Sequence, residues 1–187
     1  MQLRVSEIPR SGRVMGLAGF ALSAITNLAC ISLLGAAVAL GTYPASVALR
    51  AASWISVGRA LDKRLLKATG LAVAILGAVF YLTLITNVEK VRSFELGVLS
   101  FLVLLWSIYS LLEAASYLSL RAASRAFLPA LLSVPGLALA WLTLRELSAT
   151  WPYVLLLLLM SAITACVGFA RLKPGPGTFR PLQPVWA

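Results

Sequence analysis

The sequence predicts an all-α protein, a polytopic bundle of about six membrane-crossing helices. Three observations predict it. Several apolar runs reach the roughly 20 residues that a spanning helix needs. Charge is scarce, with 12% of residues charged against 60% apolar and a mean hydropathy of +0.93. The basic residues, finally, collect in short stretches between the runs, as they do in loops on the cytoplasmic side of a bilayer. The runs are continuous and rich in Leu and Ala. Barrel strands would alternate apolar and polar positions instead, and an open sheet would leave edges unpaired in lipid.

Residues 1–13 read as a cytoplasmic arm with Arg4, Arg10 and Arg13 against Glu7. The arm looks like the n-region of a signal peptide, but the apolar run behind it, 14–40, is too long for an h-region, so an uncleaved first span is expected. Gly19, Ser23, Thr26/Asn27 and Cys30 recur at helical spacing and share one face of that span. They read as a helix-packing stripe, with a polar solute path as the alternative. Gly41-Thr42-Tyr43-Pro44 reads as a turn, with Pro44 suited to the first turn of a second span over 45–60.

A third span is expected over 66–86, with Gly70, Ala74 and Gly77 as a close-packing stripe. The mixed-charge stretch 87–95 reads as a loop, and a fourth span follows over 96–120. Residues 121–125 form a basic turn. The fifth span, 126–144, should kink at Pro135-Gly136. Trp151-Pro152-Tyr153 reads as an interfacial anchor opening the sixth span, 152–170. These spans make up a transmembrane domain over 14–171. Residues 172–187 hold Pro174, Pro176, Pro181 and Pro184 and read as an extended tail.

The second span could instead lie on the membrane surface. Charge decides between the two. If it spans, twelve of the sixteen Lys and Arg fall on one side against three on the other, with Arg50 inside. If it lies flat, the later segments flip and the split weakens to ten against six of the sixteen. Six spans with both termini cytoplasmic is the expected topology. The net charge of +10 is explained by this asymmetry and by attraction to anionic headgroups, so nucleic acid is not an expected partner.

Residues 49–57 recur as 112–120, matching at Leu, at Ala-Ala-Ser and at the second Ser. Aromatic Trp54 stands opposite aromatic Tyr117, and Arg50 stands opposite Glu113. On the six-span topology this is a parallel two-helix repeat about an axis along the membrane normal. A charge at the centre of a span costs about 2.5–3.5 kcal/mol on insertion scales. Arg50 and Glu113 each lie about 12–14 Å from the basic end of their span, so a direct pair is geometrically reasonable. Ser46 and Ser53 share a face with Arg50, and Ser110 and Tyr117 share one with Glu113. Two readings follow: a polar site for an ion, proton or small solute, or a pair that fixes helix register.

Histidine is absent from the sequence, which removes the usual neutral-pH base and the commonest metal ligand. Cys30 and Cys166 lie within apolar runs and imply no disulfide framework. There is no phosphate-binding loop, CxxC or HExxH motif. No catalytic, cofactor or metal residue is therefore assigned.

The stretches Val57-Gly58-Arg59-Ala60-Leu61-Asp62 and Tyr117-Leu118-Ser119-Leu120-Arg121, with 131–136 after the latter, carry a resemblance. The arrangement resembles an uncharacterised family of multi-spanning, mostly archaeal integral membrane proteins, over about 14–172. The resemblance implies a helical bundle and no site. Scarce Asn and Gln fit an archaeal source.

The expected function is non-enzymatic: an accessory or scaffold subunit of a larger assembly in the cytoplasmic membrane, with the bilayer, other membrane subunits or a second copy as partners. Small size, small-residue faces and the tail motivate it. A small ion or solute transporter or channel is the alternative, motivated by the repeat, the kink and the mid-membrane charges.

Overall fold

In the computed structural model the described residues, 8–31, 35–121 and 123–172, form an all-helical chain. Among them are seven α-helices: α1 (Arg10–Ile31), α2 (Ala36–Ala60), α3 (Arg64–Thr86), the short α4 (Val88–Arg92), α5 (Leu96–Leu120), α6 (Ser133–Leu142) and α7 (Leu147–Arg171). Two 3-10 turns, Arg125–Phe127 and Pro129–Leu132, lead into α6. Five segments are long and apolar enough to cross a membrane: Arg10–Cys30, Arg64–Thr86, Leu96–Leu120, Arg125–Leu142 and Ala149–Arg171. The 25 residues of α2 match α5 and α7 in length, but Ser46, Arg50 and Ser53 dilute its hydropathy.

Several boundaries differ from the sequence reading. The first helix begins at Arg10 rather than residue 14, and Ile8 ahead of it is 1% exposed in the core. The turn expected at 41–44 lies inside α2, which begins at Ala36. Pro44 removes one backbone donor there, and the Thr42 hydroxyl donates back to the Val38 carbonyl at 2.8 Å. That bond lies one turn before the proline and leaves the carbonyl freed by Pro44, that of Leu40, where the helix lines the bundle interior. The stretch 87–95, expected as a loop, contains α4. The expected kink at Pro135 is absent from α6, because Pro135 sits in its first turn, where a backbone N–H has no intrahelical partner to lose. The irregularity falls earlier, at the 3-10 turns around Pro129. The last helix begins at Leu147, so Trp151-Pro152-Tyr153 lies within α7. Most of the Pro-rich tail and of the arm lies outside the described residues.

The tightest packing joins α1 to α2 and α7, α2 to α3, and α3 to α5. Small residues set it. A Cβ built on Gly70 would come within 2.8 Å of the Ala51 carbonyl oxygen, and one on Gly77 within 2.6 Å of Val47. Both stripe positions on α3 therefore let the backbone of α2 approach. Side-chain hydrogen bonds tie the same neighbours. The Ser53 hydroxyl donates to the Gly12 carbonyl at 2.7 Å, Ser46 to the Gly19 carbonyl at 3.0 Å, and Thr69 and Ser116 share a bond at 2.8 Å. Trp141 Nε1 donates to Ser107 Oγ at 2.9 Å, fastening α6 to α5.

The helix ends sort by charge. Arg13 Nη2 donates to the Ala170 carbonyl and Lys63 Nζ to the Ser119 carbonyl, so the start of α1, the α2–α3 turn and the ends of α5 and α7 gather at one end. The α2–α3 turn closes as a Schellman motif, with Lys63 N–H bonded to the Gly58 carbonyl and Asp62 in the left-handed region at φ 48°. Asp62 accepts from Lys67 Nζ at 2.8 Å, and that bond holds its carboxyl below the usual carboxylate range. Around the flank, large apolar side chains such as Leu71, Ile75 and Leu82 on α3 and Leu104, Ile108 and Leu111 on α5 face outward.

Two glycine substitutions separate packing from propensity. Gly70→Val drives a side chain into the backbone of α2 and should destabilise the fold by roughly 1–3 kcal/mol. Gly41→Ala meets nothing within 4 Å and should stabilise α2 by about 0.5–1 kcal/mol. Thermal unfolding of both variants in one detergent measures the contrast; equal shifts would mean α2 and α3 do not cross at Gly70.

Candidate functional site

Arg50 and Glu113, on α2 and α5 and 63 residues apart, meet inside the bundle. Arg50 is 7% exposed and Glu113 4%. The pair is bidentate: Arg50 Nε donates to Glu113 Oε1 at 3.0 Å, and Nη2 donates to Oε2. Trp54 Nε1 adds a second bond to Oε1 at 2.9 Å. The guanidinium carbon lies 5.1 Å from the Phe20 ring centroid and 5.8 Å from that of Tyr109, within cation–π range of both. Each ion thus meets several partners that offset its desolvation.

The remaining sequence-singled residues divide. Ser46 and Ser53 give their hydroxyls to backbone carbonyls of α1, so they serve α1–α2 packing. Ser110 and Tyr117 do not. With Arg50, Glu113 and Ser46 they line a cavity of about 320 Å³, walled mainly by α1, α2, α3, α5 and α7 with Val88 and Val91 of α4 and Ser133 of α6. It runs from the ion pair to Val88 and Val91 of α4 and Trp151 of α7, the end opposite the basic turns. Ser23, Asn27 and Cys30 of the α1 stripe face it, whereas Gly19 packs on the backbone of Arg50 and Thr26 also bonds the Thr42 hydroxyl at 2.7 Å. Below the pair, Trp54, Phe20, Tyr117, Phe127 and Phe169 pack ring on ring at 5.3–6.3 Å. That plug closes the cavity toward the basic end.

One property sets this cavity apart from a packing defect. Arg50 Nη1 and the hydroxyls of Ser23, Ser110 and Tyr117 have no hydrogen-bond partner among the described residues. Yet no sealed side-chain nitrogen or oxygen among those residues lacks one. These polar ends therefore open into the cavity. A void left by poor packing is apolar and dry; one lined by free donors holds a polar group or water.

Sequence reasoning missed Trp54 as a ligand of Glu113, the Tyr43–Tyr109 hydroxyl pair at 3.1 Å, and the Phe20 and Tyr109 rings on Arg50. A signal existed for two of them. Trp54 lies one helical turn after Arg50 and Tyr109 one turn before Glu113, so each shares its ion's face. Phe20 comes from another helix and left none. Among the described residues no cluster of acidic or Cys side chains could hold a metal ion. The chain matches no family model, no curated protein and no solved structure.

Breaking the pair should cost far more than removing it. Glu113→Ala leaves a buried guanidinium unpaired and should destabilise by about 3–5 kcal/mol, while Arg50→Ala/Glu113→Ala together recover part of the loss. Denaturant unfolding of the two single variants and the double variant closes the cycle. Additive losses would rule out the pairing.

Proposed function

We propose that this is a non-enzymatic integral protein of the cytoplasmic membrane that binds a small molecule in the cavity above Arg50–Glu113, as a carrier does when open to one side. The observation that carries it is the set of unpartnered polar ends at membrane depth, Arg50 Nη1, Ser23, Ser110 and Tyr117, in a cavity shut below by aromatic rings. A cavity of about 320 Å³ lies at the lower end of the range for ligand pockets. A free donor that opens from an apolar wall is costly unless a polar group or water meets it. Of the two functions read from the sequence, this favours the transporter over the scaffold. The scaffold's main support, the Pro-rich tail, lies outside the described residues from 173 onward.

The accompanying topology is six spans, with α2 among them and the basic end cytoplasmic. Its support is the outward apolar flank, the length of α2, and the gathering of basic helix ends at one pole. The parallel repeat draws support from two pairs of repeat-equivalent residues that touch. Arg50 bonds Glu113, and the ring of Trp54 lies 5.6 Å from that of Tyr117. Equivalent residues meet where a two-fold axis passes between their helices. The likeness to the multi-spanning archaeal family belongs to the same proposal and adds no site.

Cysteine labelling tests both parts in a background with Cys30 and Cys166 replaced by Ala. Ser23→Cys and Asn27→Cys should react with a membrane-impermeant maleimide from the extracytoplasmic side, while Ile25→Cys, on the outward face of α1, should not. Unreactive cavity positions would remove the ligand reading. Ser11→Cys and Asp62→Cys should label from one and the same side; opposite sides would put α2 on the membrane surface.

A further inference from the structure

The charge balance of the cavity specifies the head of its ligand. Arg50 and Glu113 are the only charged residues that line it among the described ones, and they neutralise each other. An anionic head at Nη1 would bring a second negative charge beside Glu113 with a single cation to share. A cationic head would set two positive charges against one carboxylate whose oxygens already accept from Arg50 and Trp54. Either leaves an unmatched charge beside a largely apolar wall, which is costly; an uncharged head does not.

Among the free ends one is one-sided. Arg50 Nη1 only donates, and the hydroxyls of Ser110 and Tyr117 do so as readily as they accept. A head seated on Nη1 must therefore present an oxygen lone pair, and the hydroxyls can adapt to it. Above it the wall is mainly apolar and aromatic, with Phe80, Trp106 and Leu155 among its residues and Ser23 and Asn27 of α1 as polar exceptions, so the body is mainly apolar.

We infer that the cavity binds an uncharged amphiphile: an apolar body ending in a small hydroxyl or carbonyl head seated on Arg50 Nη1, Ser110 and Tyr117. Long-chain alcohols, prenols and quinones share this chemistry. The inference rests on the ligand-binding reading above and goes beyond it by naming the class of ligand.

Trp106 and Trp151 line the cavity and supply the readout. The full chain in lipid nanodiscs is titrated with a long-chain alcohol brominated on its tail, and with the matching alkyl sulfonate and alkyl trimethylammonium, compared at equal membrane mole fraction. The alcohol should quench saturably, at a mole fraction at least about tenfold below either ion. Trp106→Phe should remove much of the quenching. Competition by an unbrominated prenol or by a short-tailed quinone then shows which uncharged head is preferred.

If the sulfonate or the ammonium saturates as early as the alcohol, the uncharged-head inference is wrong while the cavity still binds a ligand. If no compound quenches saturably, or Trp106→Phe changes nothing, the ligand-binding reading itself fails and takes this inference with it. Glu113→Gln sharpens the result, since it leaves Arg50 unbalanced and should swing the preference to the sulfonate. Should that variant not fold, Ser110→Ala removes one head contact and should weaken the alcohol several-fold relative to wild type; no weakening would overturn the placement of the head.

Discussion

The Arg50–Glu113 pair is the constraint on which the rest of the bundle depends. Two ions in an apolar interior are tolerable only together and only with their hydrogen bonds complete. That requirement fixes the rotation of α2 and α5 about their axes and their relative height. It also recruits Trp54 to Glu113 Oε1, which already accepts from Arg50 Nε, and the rings of Phe20 and Tyr109 to the guanidinium. The aromatic plug follows, because the side chains that flank the pair on its basic side are themselves large rings.

Residue size then decides where the bundle is solid and where it is hollow. Where Gly and Ser face a neighbour, as along α1–α2 and α2–α3, backbones come close and little space remains. Between α2 and α5 the contacts are made by the ends of long side chains, Arg50 to Glu113 and Tyr43 to Tyr109. Helices held apart by such struts enclose volume. The cavity is the geometric complement of the small-residue stripes, and the stripe on α1 takes part in both: Gly19 packs, while Ser23 and Asn27 line the opening.

The all-helical class and the five strongly apolar helices were legible in the sequence because hydropathy and length are local properties. The two charges stood out for the same reason. Helix ends were read less well. Gly41 and Pro44 signal a turn, yet in α2 they are helical: nothing lies within 4 Å of a Cβ built on Gly41 to demand a break, and Pro44 takes only one backbone donor from the helix. Ile8 looked like part of a polar arm and is buried, because it joins a core cluster built by residues of several helices. The cavity was hidden for the same kind of reason. Its walls come from all seven helices, and whether a Ser or Asn at helical spacing packs or stands free is set by the partner opposite, which no single helix encodes.

The modest hydropathy of α2 bears on how the chain is made. A helix carrying Arg50 with no partner is a poor candidate to leave the insertion machinery for lipid. Glu113 and its flanking ring Tyr109 are synthesised long after α2 has emerged. On the six-span topology, α2 must therefore wait in a protected setting, beside α1 and α3 or the machinery itself, until α5 arrives to neutralise it. The last turns of assembly would then be set by the order of translation, with α5 acting as the clasp that releases the first three helices into the bilayer as one body.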